Sequence, residues 1–146
     1  MLEIIRASKE HIDGIYETEI DSFSMPWSKE HLRRDMFDNH LSIYIVALYD
    51  GKVVGYAGMW HVVTEGHITN LAVKSEYRGQ GIGSMLVRKI IEIADEKDMH
   101  GITLECRISN TTAQHLYKKH GFKHEGLRKH YYSDTKEDAV IMWKHL

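Results

Sequence analysis

The residues from His67 to Ser109 leave the chain little freedom in how it folds. Two strand-like stretches, HITNLAV and GITLECRIS, bracket the run GIGSMLVRKIIEIADEKDM. In that run Ile82, Leu86, Ile90 and Ile93 or Ala94 recur at helical spacing, which predicts one long helix with a single apolar stripe to bury. The second strand alternates, with Ile102, Leu104, Cys106 and Ile108 on one face and Thr103, Glu105, Arg107 and Ser109 on the other. A helix with one apolar stripe between two strands packs on the sheet those strands build.

The other segments extend that sheet. LEIIRAS reads as a first strand and SKEHIDGIYETEIDSF as a helix capped by Ser8; SMPWSKEHLRRDM gives a turn and a short helix capped by Ser28. LSIYIVALYD and KVVGYAGMW are two strands joined by Asp50-Gly51, a hairpin signal. NTTAQHLYKKHG reads as a short helix from Asn110 to Gly121, and EGLRKHYY and EDAVIMWKHL as a last strand pair. The expected class is α/β (α+β), a mixed sheet with helices on both faces. A length of 146 residues suits one core of ordinary size, so residues 1–146 are expected to form a single domain.

Composition removes several functional classes. A formal net charge of -2 argues against a nucleic-acid or membrane-surface binder, and no apolar run is long enough to span a bilayer. The single cysteine, Cys106, has no partner for an internal disulfide, and MLEIIRASKE is too charged for a signal peptide, so a cytoplasmic setting is expected. The 11 histidines lack metal-binding spacing, and no metal is expected. Nothing in the sequence requires more than a monomer.

The loop EYRGQGIG, just before the long helix, is the first candidate site. Helix N-termini attract phosphate through unpaired N–H groups and the helix dipole, and glycines let the backbone approach a ligand closely. The same glycines also suit a turn that binds nothing. Spacing tests the specific nucleotide loops. The dinucleotide fingerprint fails because the sixth position from Gly79 is Ser84 and KSEYR separates strand from glycines; no Gly-Lys-Ser/Thr triplet provides a P-loop. Arg78, Gly81 and Gly83 do fit Arg/Gln-x-x-Gly-x-Gly/Ala, which resembles the coenzyme A pyrophosphate loop of the GNAT superfamily of N-acetyltransferases.

FSMPWSKEHL, TLECRISNTTAQHLYKKHGF and HYYSDTKEDAVIM are similar to one subfamily, the ribosomal-protein alanine N-acetyltransferases (RimI), with matches in order from about residue 20 to 142. The resemblance implies the GNAT acyl-CoA N-acyltransferase fold, with a mixed, mostly antiparallel seven-stranded sheet. It implies acetyl-CoA as co-substrate and a protein N-terminus as acceptor, the N-terminal alanine of a small-subunit ribosomal protein. A broader N-terminal or lysine acetyltransferase is the rival within the class. A coenzyme A-binding module without catalysis is the rival outside it.

Acetyl transfer to an amine needs a base, because a free α-amino group has a pKa of about 8. It also needs a donor for the carbonyl oxygen and an acid for the departing thiolate. By resemblance Glu105 is the base, the other reading being a surface pair with Arg107, and Tyr117 is the acid, the other reading being a packing tyrosine. The resemblance places the pantetheine arm on Leu71, Ala72 and Val73 and the pyrophosphate on Gly79, Gln80, Gly81, Ile82, Gly83 and Ser84 beside Arg78, with Asn110 also touching the cofactor. Pro26, Trp27, Tyr131 and Tyr132 would flank a peptide groove, to which Glu137 and Asp138 add negative potential. A capped helix start and core-facing tyrosines are the plainer reading of these residues. Cys106, where relatives more often carry Val, reads as a small core residue, which favours direct transfer in a ternary complex over an acetyl-cysteine.

Overall fold

The computed structural model describes residues 1–146. The seven strands are β1 (Leu2–Arg6), β2 (Ser42–Tyr49), β3 (Lys52–Val62), β4 (Glu65–Val73), β5 (Gly101–Arg107), β6 (Lys123–Arg128) and β7 (Ala139–His145), forming one sheet in the order β1-β2-β3-β4-β5-β7-β6. Every neighbouring pair is antiparallel except β4 and β5. The helices are α1 (Ile12–Ser22), α2 (Lys29–Phe37), α3 (Ile82–Glu96) and α4 (Thr111–Lys119). No helix is long and apolar enough to cross a membrane.

The local signals account for these elements. Asp50 and Gly51 both adopt positive φ (49° and 82°), the backbone of a tight hairpin between β2 and β3. Ser28 caps α2, its hydroxyl accepting from the His31 N–H at 3.0 Å. At Ser8 the capping runs differently: a 3-10 turn over Lys9–His11 precedes α1, and the Ser8 N–H donates to His11 Nδ1 at 3.0 Å.

Helices cover both faces of the sheet. Ile82, Leu86, Ile90, Ile93 and Ala94 of α3 are buried against Ile45, Ala47, Val54, Ile102 and Leu104 on one face. On the other, Ile15 of α1 and Leu32 of α2 pack on Tyr44, Val46, Leu48, Val53, Tyr56 and Ala72. Full burial of each valine, leucine or isoleucine among them contributes about 1.5–3 kcal/mol.

Two expectations at the C-terminal half need correction. Strand β5 ends at Arg107, so Ile108 and Ser109 lie outside it and Ile108 is exposed. Strand β6 ends at Arg128, so Tyr131 and Tyr132 belong to the β6–β7 loop. The cause is local polar bonding: the His130 N–H donates to Asp138 Oδ1 (2.9 Å), and the Tyr132 N–H to the Glu137 carbonyl (3.2 Å), closing the loop on itself.

Two departures from regular pairing shape the centre of the sheet. β4 and β5 pair only where Glu65, Gly66 and His67 face Gly101, Ile102 and Thr103. Beyond that point β4 keeps β3 and β5 keeps β7, so the two central strands part. Within the parted stretch Gly58 pairs with Asn70 and Met59 with Ile68, leaving Thr69 as the extra residue of a bulge.

Candidate active site

The opening between β4 and β5 leads into a cleft of about 850 Å³. Its floor is Ile68, Thr69, Asn70 and Leu71 of β4 with Leu104, Glu105, Cys106 and Arg107 of β5. Asn110, Ala113 and Tyr117, from the cap to the last turn of α4, form one wall, and Phe23 to Met25, Trp27 and Tyr131 to Ser133 close the other side. Glu105, Tyr117, Asn110, Leu71, Trp27, Tyr131 and Tyr132 therefore meet around one space. Pro26, Ala72, Val73, Glu137 and Asp138 lie outside its lining, as does the glycine loop.

Glu105 points from β5 to the α1/α2 side of the sheet with its side chain about a third exposed. The expected alternative pairing with Arg107 does not form. Arg128 Nε instead lies 2.8 Å from Glu105 Oε2, off the line of its N–H, so the contact is coulombic and that oxygen accepts no hydrogen bond.

Tyr117 is buried, its ring 5.5 Å from Phe122 in an edge arrangement. Burial, then the neighbouring Cys106, pushes its phenol above the usual tyrosine range, so it keeps its proton at neutral pH. Burial alone pushes the Cys106 thiol up to about 11, which leaves almost no thiolate at neutral pH. Tyr117 thus retains a proton that it could donate, and Cys106 a thiol with little of its nucleophilic form. Asn110 caps α4, its Oδ1 accepting from the Ala113 N–H at 3.1 Å, which leaves its amide N–H groups free.

The wall opposite α4 is held by Arg107. Its guanidinium makes a two-pronged contact with Asp134, 2.9 Å at each nitrogen, and lies 4.1 Å from the Tyr132 ring centroid. Asp134 also accepts from Ser24 Oγ at 3.0 Å, joining the β6–β7 loop to the segment between α1 and α2. The Arg107 hydrogen bonds hold the Asp134 carboxyl down to about 2. Glu137 accepts from Ser109 Oγ and Thr135 Oγ1, and Asp138 from the His130 N–H. Those two carboxylates fasten the loop.

The glycine loop lies at the α3 end of the parted strands. Gly79 and Gly81 adopt positive φ (78° and 82°) with open space where a Cβ would stand, so backbone conformation is what requires glycine there. No N–H from Gly79 to Ser84 donates to another backbone group, and no side chain caps α3. Arg78 is turned back into the fold, its Nε donating to the Val73 carbonyl at 2.9 Å and its Nη2 to Ser22 Oγ at 3.3 Å. It braces the loop against β4 and α1.

Two residues that no sequence motif points to shape the cleft and its wall. Glu19 is fully buried and lines the cleft, and Asp134 is the partner of Arg107. The available signal for Glu19 was its position four residues after Ile15, on the apolar stripe of α1.

The model of the acetyltransferase (GNAT) family matches residues 12–122. A Bacillus subtilis protein, named provisionally as a ribosomal protein bS18-alanine N-acetyltransferase, is 46% identical over 134 residues, covering 92% of this chain and 89% of that protein. The ribosomal protein bS18-alanine N-acetyltransferase of Haemophilus influenzae is 33% identical over 133 residues, with 89% of each chain covered. Among solved structures, the ribosomal-protein-S18-alanine N-acetyltransferase of Escherichia coli superposes with a TM-score of 0.92 at 27% identity, covering 99% of this chain and 94% of the other. The chain belongs to the GNAT family of acetyltransferases.

It is an acyltransferase, and its co-substrate is acetyl-CoA. The site suits that molecule on its own chemistry: unpaired N–H groups from Gly79 to Ser84 for a pyrophosphate, and an edge of β4 without a β5 partner for an amide-bearing arm.

Proposed function

We propose that this chain acetylates the N-terminal α-amine of a protein whose first residue is alanine, a small-subunit ribosomal protein, by direct attack in a ternary complex. The observation that carries the reading is that Glu105 and Tyr117 line one cleft, where β4 and β5 part. The names of the Bacillus subtilis and Haemophilus influenzae relatives favour this acceptor.

Acetyl-CoA supplies an acetyl group already activated as a thioester. Leu71 and Val73 offer N–H groups on the free edge of β4, toward the arm and the carbonyl oxygen, whereas the Ala72 N–H faces β3. The loop from Gly79 to Ser84, braced by Arg78, holds the pyrophosphate, and the free amide of Asn110 adds a contact at the start of α4. Glu105 accepts the proton of the acceptor amine, and the Tyr117 hydroxyl returns one to the departing sulfur. Pro26 and Trp27 on one side and Tyr131 and Tyr132 on the other border the path of the acceptor peptide. Glu137 and Asp138 contribute by shaping the β6–β7 loop more than by meeting the peptide directly.

A coupled assay of coenzyme A release across short peptides that differ only in their first residue tests the acceptor. An alanine-initiated peptide is expected to exceed the others by on the order of 10-fold in kcat/KM, the scale a close-fitting pocket provides. Equal rates across the panel would replace this reading with a broad-specificity acetyltransferase.

A further inference from the structure

Glu19 is a buried carboxylate that no cation accompanies. It lies on the face of α1 turned to the sheet, with Ile15 and Thr18, and is 1% exposed. The groups that reach it are neutral: the Tyr56 hydroxyl and the Asn70 amide nitrogen (3.4 Å) donate to Oε1, and the Trp27 backbone N–H (2.9 Å) to Oε2. Buried carboxylates are ordinarily paired with a cation, because desolvation of a lone charge is costly.

A second observation sits beside it. Donation to Glu19 fixes the orientation of the Asn70 amide, and the Oδ1 at its other end is buried and accepts no hydrogen bond. Asn70 is 7% exposed and lines the cleft. The β4 bulge is what places it there. Ile68 and Leu71 pack with the α3-side core, whereas Asn70 meets Glu19 and Ala72 packs with the α1-side core. Uninterrupted alternation from Ile68 would have turned Asn70 into the α3 core. Thr69, the extra residue, adds a second buried oxygen without a partner.

A carboxylate without a cation and an amide oxygen without a donor together call for a positively charged group with several N–H bonds. A primary ammonium has that chemistry. We propose that Glu19 and Asn70, with Thr69 beside them, form a subsite that receives the protonated α-amine of the acceptor, in the same cleft as Glu105. The subsite rests on the N-terminal acceptor reading above and divides its work: Glu19 and Asn70 bind the amine as a cation, and Glu105 takes its proton.

The test is calorimetric titration, with saturating coenzyme A, of an alanine-initiated peptide and of its des-amino analogue carrying propionyl for alanyl. Wild-type protein is expected to bind the amine-bearing peptide on the order of 10-fold or more tightly. Glu19→Gln should bring the ratio close to one, and Glu105→Gln should preserve most of it. Wild-type protein that binds both peptides equally, or Glu19→Gln with the wild-type ratio, overturns the proposal. Should Glu19→Gln fail to fold by circular dichroism, Asn70→Leu serves in its place: a ratio cut several-fold supports the subsite and an unchanged one overturns it. Acetyl transfer to the same peptide is measured in parallel. Discrimination without transfer would overturn the acceptor reading while leaving the subsite standing.

Discussion

In the proposed reaction Tyr117 serves packing and chemistry together. Its ring contacts Phe122, while burial holds the hydroxyl proton firmly at neutral pH. Tyr117→Phe keeps the ring and removes the acid, so kcat is expected to fall on the order of 10²-fold with the melting temperature nearly unchanged, checked by steady-state kinetics and a thermal melt. The placement of Glu105 on β5 and of Tyr117 on α4 was legible in the sequence because each lies inside a motif that fixes its strand or helix. Glu19 was not, because a carboxylate in an amphipathic helix ordinarily faces water. Its burial depends on Tyr56 and Asn70, which come from strands distant in sequence. Glu137 runs in the opposite direction, since its charge is legible but its engagement with Ser109 and Thr135 is not.

At the scale of elements, the α3 stripe and the Asp50-Gly51 hairpin formed as the periodicity and turn chemistry indicate. The two misplaced boundaries, after β5 and after β6, share a cause. Apolar alternation continued past the point where side-chain bonds from Glu137 and Asp138 turn the chain into a loop. The glycine loop belongs to this scale as well, since its amides are displayed by a conformation and not by a side chain. Gly81→Ala introduces no clash but holds a Cβ at positive φ, which costs roughly 1–2 kcal/mol. The expected outcome is a KM for acetyl-CoA raised about 5- to 30-fold with kcat at saturation little changed, read from initial rates.

Across the whole molecule, the site is assembled from both ends of the chain. The segment between α1 and α2 and the β6–β7 loop meet through Ser24, Asp134 and Arg107, closing the cleft over the parted central strands. The sheet with helices on both faces was legible from the order of elements, but the sequence does not reveal which loops touch across it. The clamp carries a pH signature. Asp134 is held at about 2 in the folded chain, below the ordinary value of 3.8, so the unfolded chain binds more protons between those values and the clamp's stabilisation rises with pH there. It is fully present above about pH 4 and is lost as pH falls toward 2. Asp134→Asn should therefore lower the melting temperature at pH 6, and its difference from wild type should shrink as pH falls below 4, measured by calorimetry across that range.

In the proposed reaction Glu105 in this cleft drives acetyl transfer to an N-terminal amine. Its most direct test is tandem mass spectrometry of an alanine-initiated peptide with an internal lysine, incubated with acetyl-CoA and either wild-type protein or Glu105→Gln. Acetyl is expected on the α-amine alone with wild type, and a rate roughly 10²- to 10⁴-fold lower with Glu105→Gln. Acetyl on the lysine side chain, or equal rates from the two proteins, would contradict it.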